Sequence, residues 1–351
     1  MVGVSQLIFA VNANMFTGRS DNPDRAWLLD GMRLLLTSLV SCLVLGPAAA
    51  EWRAEPVPTP GRVTSVEVRG TDTRIAVGPN WYRIAPATGT LISAQAPGFP
   101  AVPPGGLSDG RVASGDGAIA RTWLAHPTDR YRHGVLGDAI EAGSLVIERS
   151  DGRTGTVPAG ADAVFEDLSP RIAALDGVDR IVVVKSYLQR GSALAIIDAV
   201  SMKIIAETPP IGRAHAWLNP AGIADFDGDG TTDIALVRQP HVAGLLQLWS
   251  WQDQKLKKVA EVPDVSNHFI GSRALGMSWT ADFDADGHPD LAVPSLDRRS
   301  LRLIAFVPMV RDIARIPLPA RVATNIGPTG IGGRPGLVAG LEDGRLVIIR
   351  K

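Results

Sequence analysis

The chain has 351 residues, 45% hydrophobic and 20% charged, a balance that suits a folded protein with a sizeable core and excludes a disordered one. Its formal net charge of −1 provides no global basic field, so nucleic acid is not an expected partner. A single cysteine, Cys42, rules out a disulfide framework.

Residues 1–31 include Asp21, Asp24 and Asp30 and read poorly as a leader, so they are expected to be an extended start ahead of Met32. From Met32-Arg33 the chain runs through an apolar stretch to Leu45, breaks at Gly46-Pro47 and ends in Ala48-Ala49-Ala50. That order predicts a secretory signal peptide over 32–50, cleaved after Ala50. The apolar run is short for a membrane anchor, so no stable span is expected after cleavage. Leu39-Val40-Ser41-Cys42 offers a weaker, lipobox-like alternative in which Cys42 carries a lipid. The mature protein is expected in the periplasm or outside the cell, as a monomer without thiol chemistry.

Residues 51–61 are Pro-rich and read as a linker. From Arg62 onward, short β-branched runs alternate with turn residues: Arg62–Val68, Ile181–Ser186, Ala193–Ile197, Ile234–Val237, Leu245–Trp251, Leu301–Phe306 and Leu346–Ile349. Many short strands with Gly- and Pro-rich turns predict an all-β sandwich, barrel or propeller.

Internal repetition selects the propeller. Ala224-Asp225-Phe226-Asp227-Gly228-Asp229-Gly230-Thr231-Thr232-Asp233 returns as Ala281-Asp282-Phe283-Asp284-Ala285-Asp286-Gly287-His288-Pro289-Asp290, each copy running into an apolar strand. A shortened copy with Asp176 and Asp179 lies one interval earlier, and Gly336–Gly340 is a metal-free echo one interval later. An interval of about 50 residues holds the four strands of one propeller blade. Residues 74–94 and 138–158 read as two further blades, which makes six, or seven if 101–136 hold another. The expected fold is an all-β propeller of four-stranded blades over 62–351, with Arg62–Val68 pairing into the last blade to close the ring.

Both loops read D-x-D-x-D-G-x-x-D. Carboxylates at positions 1, 3 and 5 can converge on one hard cation, Gly at position 6 permits the turn, and a position 7 carbonyl and position 9 carboxylate can complete an oxygen shell suited to Ca²⁺. The candidate ligands are Asp225, Asp227, Asp229, the Thr231 carbonyl and Asp233 in one loop. In the other they are Asp282, Asp284, Asp286, the His288 carbonyl and Asp290. An EF-hand or a dockerin-like loop needs an acid at position 12, where this chain has Leu236 and Val293. The pattern D-F-D-x-D-G-x-x-D before an apolar strand resembles the FG-GAP/VCBS repeat of integrin α-chain propellers and many bacterial exported proteins. The resemblance is close over roughly 215–310 and weak over 171–200 and 333–351. It implies two structural calcium ions held between blade strands, and none at the shortened copy.

No nucleophile elbow, P-loop or H-E-x-x-H motif is present. Gly327–Gly336 reads as a loop. His126, His133, His215, His241, His268 and His288 show no ligand spacing and read as surface or hydrogen-bonded loop residues. Thr128–His133, with Asp138 and Glu141, is either a recognition loop or an inter-blade network. Trp81, Trp123, Trp217, Trp249, Trp251 and Trp279 suit inter-blade packing better than a sugar-stacking platform. The expected function is an exported binding or scaffold module for a protein or glycan. The alternative is a propeller-bodied enzyme, such as a polysaccharide lyase or hydrolase, acting at the propeller axis.

Overall fold

The computed structural model describes residues 51–351. The signal peptide, the extended start, the cleavage point and Cys42 lie outside the described residues. Among the described residues no helix is long and apolar enough to cross a membrane.

The chain builds six blades as antiparallel meanders. Strand β1 (Arg53–Val57) comes first and is set aside until the end of the chain. Blade one is β2 (Val63–Arg69), β3 (Asp72–Val77), β4 (Asn80–Ile84) and β5 (Leu91–Ala94). Blade two is β6 (Ala113–Ser114), β7 (Ile119–Thr128), β8 (Glu141–Arg149) and β9 (Thr154–Pro158). A short strand, β10 (Ala163–Phe165), follows and pairs with both neighbouring blades. Blade three is β11 (Arg171–Leu175), β12 (Val178–Tyr187), β13 (Gly191–Asp198) and β14 (Lys203–Glu207). Blade four is β15 (Leu218–Ala224), β16 (Asp233–Arg238), β17 (Leu245–Gln252) and β18 (Lys255–Val262). Blade five is β19 (Trp279–Ala281), β20 (Asp290–Pro294), β21 (Ser300–Ala305) and β22 (Arg311–Pro317). Blade six is β23 (Val322–Ile331), β24 (Arg334–Leu341) and β25 (Leu346–Arg350), and β1 completes it as the outer strand.

Four expectations are corrected here. The closing strand is Arg53–Val57, in register from Arg53 opposite Arg350 to Val57 opposite Leu346, so the stretch read as a linker holds part of the propeller. Arg62–Val68 does not close the ring; Val63–Arg69 is the innermost strand of blade one. Gly327–Gly336 is no loop: β23 and β24 run through it and turn at Gly332-Gly333. Residues 101–136 hold no seventh blade, because they supply β6 and β7 of blade two.

The second strand of several blades is apolar along its length because neighbouring blades cover both its faces. Ile181–Val184, Ile234–Val237, Leu291–Val293 and Leu337–Ala339 are all buried. The apolar clusters accordingly lie between blades: Val66 and Ile75 of blade one meet Val338 and Ile348 of blade six, for example. The outermost β18 exposes Lys255, Lys257, Lys258, Val259 and Glu261, as a strand covered on fewer sides should.

The innermost strands converge on the axis. A cavity of about 290 Å³ and a second one adjoining it are lined by Glu67, Arg111, Arg171, Gly222, Ser278 and Asn325, one from each blade. Crowding there explains Gly222, where a Cβ would lie 2.5 Å from Thr280 Oγ1 of the next blade.

Candidate metal centres

In such a meander the links between first and second strands all reach one face, and the second-to-third and inter-blade links reach the other. Both Asp loops are first-to-second links, Asp225–Thr232 between β15 and β16 and Asp282–Pro289 between β19 and β20. Phe226 and Phe283 at position 2 anchor them in the core. Phe226 packs against Phe306 at 5.3 Å between ring centroids, and Phe283 against Trp52 at 5.6 Å.

Position 1 shapes each loop. Asp225 accepts from the Gly228 and Gly230 amides at 2.9 and 3.0 Å, and Asp282 accepts from Ala285 and Gly287 at 2.7 and 3.0 Å. Both loops then need left-handed backbone at positions 4 and 6: Gly228 and Gly230 have φ of 73° and 87°, Ala285 and Gly287 of 68° and 90°. Ala285 is the one non-glycine among them and bears the steric cost of its Cβ.

Carboxylate oxygens of Asp225, Asp227 and Asp229 lie within 4.8 Å of one another, as do those of Asp282, Asp284 and Asp290. Asp233 and Asp286 fall outside these tight groups. Asp233 Oδ2 instead accepts from the Phe226 and Asp227 amides, and Asp286 Oδ1 from the His288 amide at 2.9 Å. The Thr231 hydroxyl bonds to Asp229 and to Ser250. The His288 ring packs against the first loop, where a Cβ at Gly228 would lie 2.9 Å from His288 Cε1. The two loops therefore touch across the blade boundary.

The electrostatics favour a cation. Burial, reinforced by the Asp227 charge, pushes the Asp233 carboxyl up to about 6. Burial also pushes Asp290 up to about 6, with Asp284, Asp286 and Asp282 adding to the rise. Burial raises Asp227 as well, whereas the Thr231 hydroxyl lowers Asp229. Asp233 Oδ1 is buried and has no hydrogen-bond partner. An uncompensated buried carboxylate oxygen is costly unless a cation or proton meets it, so the donor set fits a hard divalent ion. The second loop differs in one respect: Arg311 Nη2 donates to Asp284 Oδ2 at 2.6 Å, placing a fixed positive charge on a candidate ligand.

At the shortened copy the acids serve the blade contacts. Asp176 accepts from Trp251 Nε1 at 2.7 Å and Asp179 from the Ala118 amide at 2.7 Å. On the axis, the arginines are already paired: Arg111 with Glu67 at 2.8 Å, and Arg171 with the buried Asp167 at 2.7 Å. Of the tryptophans, Trp123, Trp217 and Trp251 are buried.

Sequence spacing missed one assembly. Thr128–His133 is an inter-blade network: Arg130 donates to the Gly160 and Ala163 carbonyls, and the buried Tyr131 hydroxyl accepts from the His215 amide at 2.9 Å. His133, His215, His241 and His268 gather around Trp217, although they stand far apart in sequence. No local pattern could announce this, because the ring itself brings the four segments together.

Residues 208–293, which include both Asp loops, match the FG-GAP-like repeat. No curated protein matches the sequence. Among solved structures, the chain is similar to BamB from Moraxella catarrhalis, at 11% identity over 82% of this chain and 71% of that one, with a TM-score of 0.38. It is also similar to the rhamnogalacturonan lyase YesW, at 14% identity over 80% and 57% of the two chains, with a TM-score of 0.43. A third similarity is to the Cps50 (Swd1) β-propeller domain from Myceliophteria thermophila, at 12% identity over 84% and 98%, with a TM-score of 0.45.

Proposed function

We propose that this protein is an exported propeller that holds one calcium ion in each Asp loop and presents a rigid ring as a binding module for a protein or glycan. The observation that carries the calcium reading is the buried, unpartnered Asp233 Oδ1 beside the converging Asp225, Asp227 and Asp229. The ions would be held by those four residues and by Asp282, Asp284, Asp286 and Asp290, with the Thr231 and His288 carbonyls. Each would tie a first strand to a second strand and, through the His288 contact, one blade to the next. The role is structural, because every candidate ligand belongs to a turn between core strands or opens the strand that follows it, as Asp233 and Asp290 do. Binding is favoured over catalysis because Arg111 and Arg171 on the axis are already neutralised by carboxylates.

The test is thermal unfolding with calcium, with magnesium and with chelator. A ligand at about 100 times its dissociation constant adds roughly 2.7 kcal/mol per site. A calcium-selective rise in Tm that disappears in the Asp225→Ala/Asp282→Ala variant is expected. An unchanged Tm would reduce the loops to ordinary turns.

A further inference from the structure

On the face opposite the Asp loops, a cavity of about 50 Å³ is walled by His133, Arg213, His215, Trp217, Gln239 and His241. No acidic side chain lines it. Its residues come from the β7–β8 link, the β14–β15 link and the β16–β17 link, so it exists only once blades two, three and four are assembled.

Hydrogen bonding fixes which ring nitrogens carry protons. The Ser272 carbonyl can only accept, so His268 Nε2, 2.8 Å away, carries the hydrogen. Burial pushes His268 down to about 3, which keeps the ring neutral and leaves its Nδ1 bare. That nitrogen therefore accepts from His241 Nε2 at 2.9 Å. His241 is neutral too, held at about 4 by burial, so its own Nδ1 is a bare acceptor with no partner among the described residues. His133 is set differently. Its Nδ1 lies 2.5 Å from Glu166 Oε1, while the other Glu166 oxygen accepts from the Ser186 hydroxyl. His133 Nε2 has no partner among the described residues. Arg213 is exposed, and its guanidinium makes no hydrogen bond or ion pair among the described residues.

We propose that this pocket is a subsite for a hydroxylated carboxylate of the kind an acidic sugar presents, with Arg213 taking the carboxylate and His241 Nδ1 taking a hydroxyl hydrogen. The inference rests on the binding-module reading and names its ligand class as a uronate. A guanidinium without a partner can grip a carboxylate through two parallel N–H bonds. A bare imidazole nitrogen would repel a fully ionised oxyanion but accepts from a hydroxyl, so a ligand bearing both groups fits where sulfate does not. A metal ion does not fit, because among the described residues the donor groups that converge on one point are those of the two Asp loops.

The experiment is isothermal titration of the full-length protein with glucuronate and galacturonate, against glucose and inorganic sulfate. Saturable binding of a uronate is expected, with glucose and sulfate at least about 10-fold weaker. Arg213→Gln should weaken the uronate about 10-fold or more, because a charge-assisted pair is lost. His241→Phe, which keeps an aromatic ring against Trp217, should weaken it by a smaller factor. Arg213 is exposed, so Arg213→Gln should leave Tm unchanged, which confirms that the fold is intact. Failure of both uronates to bind, equal binding of sulfate, or an unchanged affinity in Arg213→Gln would each overturn the proposal. A calcium-dependent Tm without uronate binding sinks this inference alone. Uronate binding without a calcium response sinks the calcium reading alone.

Discussion

Asp233 and Asp290 make the metal-free protein sensitive to pH in a defined direction. Both carboxyls are held at about 6 in the folded chain, above the usual carboxylate range. The metal-free native state therefore keeps protons that the unfolded chain releases above about pH 4, and the stability they contribute is lost as pH rises through about 6. On the calcium reading proposed above, the ion takes the place of those protons. The gain in Tm on adding calcium should be small at about pH 5 and full above about pH 6.5, which paired melts across that range would check. A calcium gain independent of pH would mean that neither residue is a ligand. A second difference lies in the loops themselves. Ala285 occupies a left-handed position that Gly228 fills in the first loop. Ala285→Gly should stabilise the protein by about 1 kcal/mol, read from urea unfolding. If the second loop holds calcium as proposed, Arg311→Gln should tighten it there by removing the cation on Asp284, and calcium titration should show the higher affinity.

At the scale of elements, β10 has an importance out of proportion to its length. Its three residues, Ala163, Val164 and Phe165, are fully buried, pair with β8 and β12, and join blades two and three into one nine-stranded sheet. The chain then delivers Glu166 against His133. Phe165→Ala should cost about 3–5 kcal/mol by opening a cavity at this junction. The urea midpoint should fall accordingly, and a loss below about 1 kcal/mol would show that the junction closes up. The sequence announced strands such as β16 and β20 through unbroken apolar runs, since burial on both faces demands apolar residues throughout. It did not announce β1, because Pro56, Pro58 and Pro60 read as linker. Proline is tolerated in β1 because it is an outer strand, where one row of backbone amides faces no partner. The Asp loops were legible because each set of acids is contiguous. The histidine pocket was not, because its members share only a position in the ring.

As a whole, the molecule separates two kinds of chemistry. Its negative loops stand on one face and its imidazole pocket on the other, while the axis is lined by charges that pair internally. The arrangement holds only if the ring is complete, and β1 is what completes it. That strand emerges from the ribosome before any other in the propeller, yet its partner β25 is the last to be made. At about 5–20 residues per second, the intervening chain takes roughly a quarter of a minute to a minute to appear. Throughout that interval β1 is a free edge, and blade six cannot exist. Folding of the final blade is thus deferred until β25 has been made, and β1 stays without its partner for as long as that strand is missing.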